Sequence, residues 1–156
     1  MSRVVLLGVA LVFSLIPQQA ASSLRFAESL PQSGNEEPVP AFHSEVPQRP
    51  LPATMSPTLF TNVMAQNAYT VAAHIKKVLC QQPCYCHCDR SQGHGSLLDC
   101  FASRHAAGCG ICIREGFYAY EQVHKGRSSS QIRAGIERGE WRQLDLSKYQ
   151  TALPEK

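Results

Sequence analysis

All seven cysteines of the chain fall between Cys80 and Cys112. They are Cys80, Cys84, Cys86, Cys88, Cys100, Cys109 and Cys112, with His87, His94 and His105 interleaved. About a fifth of this stretch is cysteine, whereas ~8–10% already marks a short secreted chain as a cysteine scaffold. Its tightest part reads Pro83-Cys84-Tyr85-Cys86-His87-Cys88. Proline stops any helix arriving from the N-terminal side. A bridge inside Cys-x-Cys would close a small strained ring. The fold must therefore bring other elements to these sulfurs.

The 156 residues have room for one domain plus extensions. Lys and Arg number 15 against 12 Asp and Glu, with no basic block, which gives nucleic-acid binding no support. Met1-Ser2-Arg3, the apolar run Val4 to Ile16, and Ala20-Ala21-Ser22 follow the charged, apolar, small-residue order of a secretory signal peptide. The run is short for a membrane span, which needs ~20 residues. Residues 1–22 are thus expected to be a signal peptide, or an uncleaved anchor as the only membrane link. The expected location is exported, periplasmic or otherwise extracytoplasmic. No twin arginine is present, so the chain should cross unfolded and take up any metal outside. Eight of the ten prolines precede residue 60, six of them among the polar residues 23–54, which predicts a disordered Pro-rich linker there.

The remainder, residues 55–150, predicts an all-α domain of about four helices around a Cys-rich loop. Ser56-Pro57 suits a helix start. Phe60, Met64, Val71, Ile75 and Val78 recur at helical spacing, predicting one helix from about Pro57 to Cys80. Pro83 to Gly95 should be irregular. Ser96 should cap a short helix over Leu97 to His105 that carries Cys100. Another should run from Cys109 to Lys125, closed by Gly126. A last helix, capped by Ser129 or Ser130, presents Ile132 and Ile136 and ends at Gly139. Trp141, Leu144, Leu146 and Tyr149 should lie back over the helices. No alternating strand pattern competes.

If the Cys84–Cys88 segment is looped, its three thiols can converge on one ion, and soft thiolates favour Cu(I), Zn(II) or iron–sulfur iron. Cys109-Gly110-Ile111-Cys112, at a predicted helix start, is either half a metal site or a redox dithiol. Helix-end amides would stabilise a thiolate there. The candidate metal ligands are Cys84, Cys86, Cys88, His94, Cys100, Cys109 and Cys112. Copper or zinc is favoured over iron–sulfur because the chain is expected to cross unfolded. The alternative redox pair is Cys109 with Cys112, and a metal-delivery or redox protein is the expected partner. A third reading makes the cysteines structural bridges, the usual fate of an even set in an oxidising compartment. The odd count speaks against complete pairing, and Cys80 is the candidate odd thiol. His105 reads as a surface or capping residue, and His87 as solvent-facing. His43, His74 and His124 have no supporting context. No Gly-x-Ser-x-Gly, phosphate loop or His-Glu-x-x-His occurs, so hydrolytic catalysis has no support.

Several spaced motifs agree in order with a known family. They are Pro83-Cys84-Tyr85-Cys86-His87-Cys88, Gly93-His94-Gly95-Ser96-Leu97-Leu98-Asp99-Cys100-Phe101, His105-Ala106-Ala107-Gly108-Cys109-Gly110-Ile111-Cys112 and Ser130-Gln131-Ile132-Arg133. From about Pro83 to Trp141 the chain resembles the exported bacterial proteins named for a PCYCGC or CYCXC motif. The family is defined by its motif and lacks an established activity. Its members often occur as lipoproteins or exported proteins. Some are described as selenoproteins, which implies redox use of a thiol position. Here His87 stands where the motif has Gly, and no lipid-accepting cysteine follows the apolar run. Cys80 lies outside the shared motif.

Overall fold

The structure, a computed structural model, describes residues 37–151 and 153. The expected signal peptide (1–22) and the first part of the expected linker lie outside the described residues. Apolar residues at helical spacing form the frame. Helix α1 (Val63–His74) buries Ala65, Ala68, Tyr69, Val71 and Ala72. Helix α5 (Gly110–His124) packs against it and buries Ile113, Gly116, Phe117, Tyr118 and Ala119. Helix α6 (Ser129–Glu137) adds Ile132 and Ile136. It begins one residue earlier than a Ser129 cap would allow. Ser128 accepts the Gln131 N–H, and the Gln131 side chain returns to the Ser128 N–H. Six α-helices and no strand occur among the described residues. None of these helices is long and apolar enough to cross a membrane.

The single helix expected from Pro57 to Cys80 is three pieces. A 3-10 turn, Pro57–Leu59, buries nothing and leads to Asn62, whose side chain accepts the Ala65 N–H and starts α1 afresh. At Ile75 the backbone leaves helical geometry (φ −117°, ψ 29°), and α2 (Lys76–Leu79) follows. Leu79 and Cys80 then lie in the core. Periodicity survives such breaks, because the same face stays apolar on both sides. The loop after Pro83 is also more ordered than expected, since α3 (Cys88–Gln92) forms within it and closes on Gly93 in the left-handed region (φ 68°). Helix α4 (Leu97–Phe101) is shorter than expected. Ser96 stands at its start without a side-chain cap, and His105 belongs instead to a 3-10 turn, His105–Gly108.

Two aromatic contacts tie the frame together. The buried Tyr69 ring meets Phe101 edge-on at 5.2 Å, and its hydroxyl donates to the Ser103 carbonyl and accepts the Ala107 N–H. The C-terminal tail does lie back over the helices. Tyr149 stacks on Phe117 at 3.6 Å between centroids, and the Asn67 side chain donates to the Tyr149 and Thr151 carbonyls.

Residues 37–54, placed in the linker by composition, carry no helix, as their prolines dictate. They are nonetheless laid against the helical body. Pro40 is buried, the His43 N–H donates to the Cys80 carbonyl, and Phe42 lies under the Arg133 guanidinium. Glu37 pairs with Arg90, and the Ala41 N–H donates to Asp89, so this segment pins two residues of α3. Composition registers the missing helix propensity but not these long-range backbone bonds.

Candidate metal centre

Three separate parts of the chain deliver the thiols. The first is the loop after α2. Its Cys84 carbonyl accepts the His87 N–H, a turn that folds Cys86 back beside Cys84. His87 then adopts φ 56°, the only positive φ at a non-glycine among the described residues, and α3 starts at Cys88. This is the position where the motif has Gly, and the left-handed backbone explains that preference, since only Gly takes it without strain. His87 is not free in solvent. Its Nε2 lies 3.3 Å from Glu37. The second part is α4, which turns Cys100 inward. The third is the first turn of α5, which turns Cys112 inward.

The sulfurs converge. Cys84 Sγ lies 3.3 Å from Cys86 and 3.5 Å from Cys112. Cys86 and Cys112 are 3.6 Å apart, and Cys88 and Cys100 3.3 Å. All are free thiols; four of the five are buried, and Cys86 is half-buried. Two sets of four ligand atoms each fit within 4.8 Å. One is Cys84, Cys86, Cys88 and Cys100; the other is Cys86, Cys100, His105 and Cys112. Tetrahedral zinc at ~2.3 Å from sulfur separates its ligands by ~3.8 Å, so either set closes on an ion with small shifts. The cysteine cluster can therefore hold a metal ion.

The expected ligands do not all take part equally. His94 reaches two sulfurs, Cys88 at 3.2 Å and Cys100 at 3.4 Å, but belongs to neither set. Cys109 occupies the N-cap of α5 and is half-buried. It is a free thiol packed against the core and belongs to neither ligand set. Cys80 stands apart, its thiol donating to the Lys77 carbonyl.

His105 is the candidate ligand that sequence reasoning passed over. Its Nε2 lies 3.4 Å from Cys86, while Nδ1 is 2.6 Å from the Gln92 amide nitrogen. Its sequence distance to Cys109 suggested the wrong neighbour, because the 3-10 turn aims it across the loop. Glu115 was also missed, although a charged residue within the apolar stripe of α5 was a legible signal. It is fully buried and accepts the Tyr85 N–H at 3.0 Å. Burial pushes its carboxyl up to about 8, so at neutral pH it is mostly protonated and adds little charge to the thiols.

The crowded thiols share protons. A hydrogen bond from Cys84, helped by His105, holds Cys86 down to about 4. Cys100 is lowered, first by Cys112 and then by Cys84. Cys84 and Cys112, as donors in the crowd, are raised. Contact among the thiols thus favours the ionised form at Cys86 and Cys100, and thiolate is the form that binds metal.

No curated protein and no solved structure matches the chain. Residues 51–143 match the family described as "Protein of unknown function with PCYCGC motif", a span that takes in the turn at His87, both groups of thiols and α6. The chain belongs to the PCYCGC-motif family.

Proposed function

We propose that the chain is an exported metal-binding protein that handles copper or zinc through Cys84, Cys86, Cys88, Cys100 and Cys112, with His105 at the edge. The observation that carries this reading is the meeting of five sulfurs from three parts of the chain. Disulfide staples pair sulfurs two by two. Here Cys84 has two sulfur neighbours at 3.3 and 3.5 Å, so no unique pairing is specified. The redox reading through Cys109 and Cys112 is weaker, because Cys109 lies outside both groups in which the other thiols gather. Ligand softness favours Cu(I) and Zn(II), and metal uptake after export of the unfolded chain favours both over a preassembled iron–sulfur cluster.

Intact mass with and without reductant, together with native mass spectrometry of the full chain purified from an exporting host, tests the proposal. Bound zinc or copper and reduced thiols at the cluster are expected. Chelation should remove the ion while α1, α5 and α6 persist on their apolar core. A protein that is fully bridged, or that takes up neither metal tightly when reduced, would sink it. The Cys80→Ser variant should bind as the parent does.

A further inference from the structure

Cys84, Cys86 and Cys112 form a triangle of sulfurs with sides of 3.3, 3.5 and 3.6 Å. These are corners of a single tetrahedron, drawn in slightly from the ~3.8 Å that one zinc ion at ~2.3 Å from sulfur would set. Cys100 lies within 4.8 Å of all three, since it shares one ligand set with Cys84 and Cys86 and the other with Cys112. His105 lies within 4.8 Å of Cys86, Cys100 and Cys112. Either Cys84 or His105 therefore completes a four-ligand shell on the tripod of Cys86, Cys100 and Cys112. Building on the metal-binding reading, we infer that the centre holds one Zn(II) on this tripod and that its fourth position is an exchange site. His105 holds that position at rest, and it opens to a thiolate, from Cys84 within or from a metal-carrying partner outside.

Burial decides which ligand is inside. Cys84 is 3% exposed and Cys100 and Cys112 0%, whereas Cys86 and His105 are half-buried. The other nitrogen of the His105 ring meets Gln92, which is exposed. An incoming ligand therefore meets the ion at the His105 edge. Charge decides the ligand at rest. Zn(II) with three thiolates and a neutral imidazole carries one net negative charge. A fourth thiolate makes it two, and buried charge without a partner is costly. Cys84 meanwhile stays a thiol and donates to the Cys86 sulfur. When the two exchange, one Zn–N bond breaks and one Zn–S bond forms. The thiol proton ends on the freed imidazole, and no electron is transferred. Zinc accepts a fifth ligand in passing, so the new bond forms before the old one is lost. A partner's thiolate entering at the same edge takes the ion by the same step.

The reduced full chain, loaded anaerobically, tests the exchange site. Native mass spectrometry should count one zinc ion, and the 15N shifts of His105 should show a metal-bound Nε2. In the cobalt-substituted protein the sulfur-to-metal absorption should correspond to three thiolates. His105→Ala should keep one ion and add a fourth thiolate to the cobalt spectrum. It should pass zinc to a reduced four-cysteine peptide ~10-fold more slowly, the lower end of what a change at a metal site causes. Circular dichroism reports whether the variant keeps its helices; if it does not, the spectra of the parent decide alone. Adding Cys84→Ser to His105→Ala should lower zinc affinity well below that of either single variant. All-sulfur coordination in the parent, or transfer at the parent's rate by a folded His105→Ala, overturns the exchange site and leaves metal binding standing. So does a second zinc ion, or uptake of copper alone. No ion of either metal removes both readings.

Discussion

Gly116 lies on α5, one turn beyond Cys112, and faces the ring of Phe101, which directly follows Cys100. A methyl group placed there would sit 2.8 Å from Phe101 Cζ and 3.3 Å from Cε2. The ring is fully buried and held edge-on by Tyr69, so it cannot swing away. Either α5 or α4 must yield by roughly half an ångström in Gly116→Ala, and overpacking of this kind costs ~1–3 kcal/mol. The exchange of Gly for Ala inside a helix gains ~1 kcal/mol. The sign of the net effect therefore decides whether the contact is rigid. We expect a net loss of ~1 kcal/mol, measured by urea unfolding of the reduced, metal-free protein followed by circular dichroism. Because the shift also separates the elements that bear Cys100 and Cys112, zinc affinity in competition with a chromogenic chelator should fall ~10-fold. Gly110→Ala is the control. A methyl group there meets nothing within 4 Å, and a change within ~0.5 kcal/mol is expected. If Gly116→Ala instead gains ~1 kcal/mol and binds zinc as before, the close approach of α5 to Phe101 does not set the sulfur positions, and the reasoning fails.

Glu115 makes the metal-free fold sensitive to alkali. Its folded value is raised from 4.5 to about 8, so its contribution to stability is complete below about pH 4.5 and is lost as the pH rises through about 8. Glu115→Gln retains an acceptor for the Tyr85 N–H and should lose less stability than the parent between about pH 5.5 and 8.5. Equal losses in urea titrations would show that the carboxyl is not neutral in the fold. His87→Gly removes a left-handed strain of ~1 kcal/mol and gives up an ion pair with Glu37 worth less than ~1 kcal/mol. The thermal midpoint should hold or rise with metal stoichiometry unchanged, and a drop of several degrees would mean that the His87 side chain does more than occupy the turn. Ser128→Ala removes the α6 capping box and should cost ~1 kcal/mol in the same unfolding assay, whereas an unchanged midpoint would deny that the cap holds α6.

Helix identity was legible wherever an apolar face and a terminator coincided, as at Phe117, Tyr120 and Gly126 or at Ile132 and Ile136. The break at Ile75 was not, since the residue is apolar and buried on either account. Within the centre, alternate cysteines pointed to Cys84, Cys86 and Cys88, and the joining of Cys112 to them was foreseeable from one shared site. Cys109 shows the limit of spacing. It stands at the N-cap, where its side chain departs from the inward face that Cys112 follows. His105 shows the same limit from the other side, because its reach to Cys86 depends on a 3-10 turn that no local pattern announced. The packing of residues 37–54 includes the backbone bond from His43 to Cys80, which composition does not encode.

The short contact between Gln92 and His105 has a consequence for proton position. With the amide nitrogen of Gln92 donating to Nδ1, a neutral imidazole carries its hydrogen on Nε2, where it points at the Cys86 sulfur. A metal at Nε2 needs that lone pair free, so the hydrogen must stand on Nδ1 instead. A half-turn of the Gln92 amide would then present its oxygen as acceptor. Loading the centre would thus exchange one tautomer for the other and rotate one amide. The 15N shifts of the His105 ring before and after zinc addition would record the change directly, and they would make this histidine a built-in reporter of occupancy.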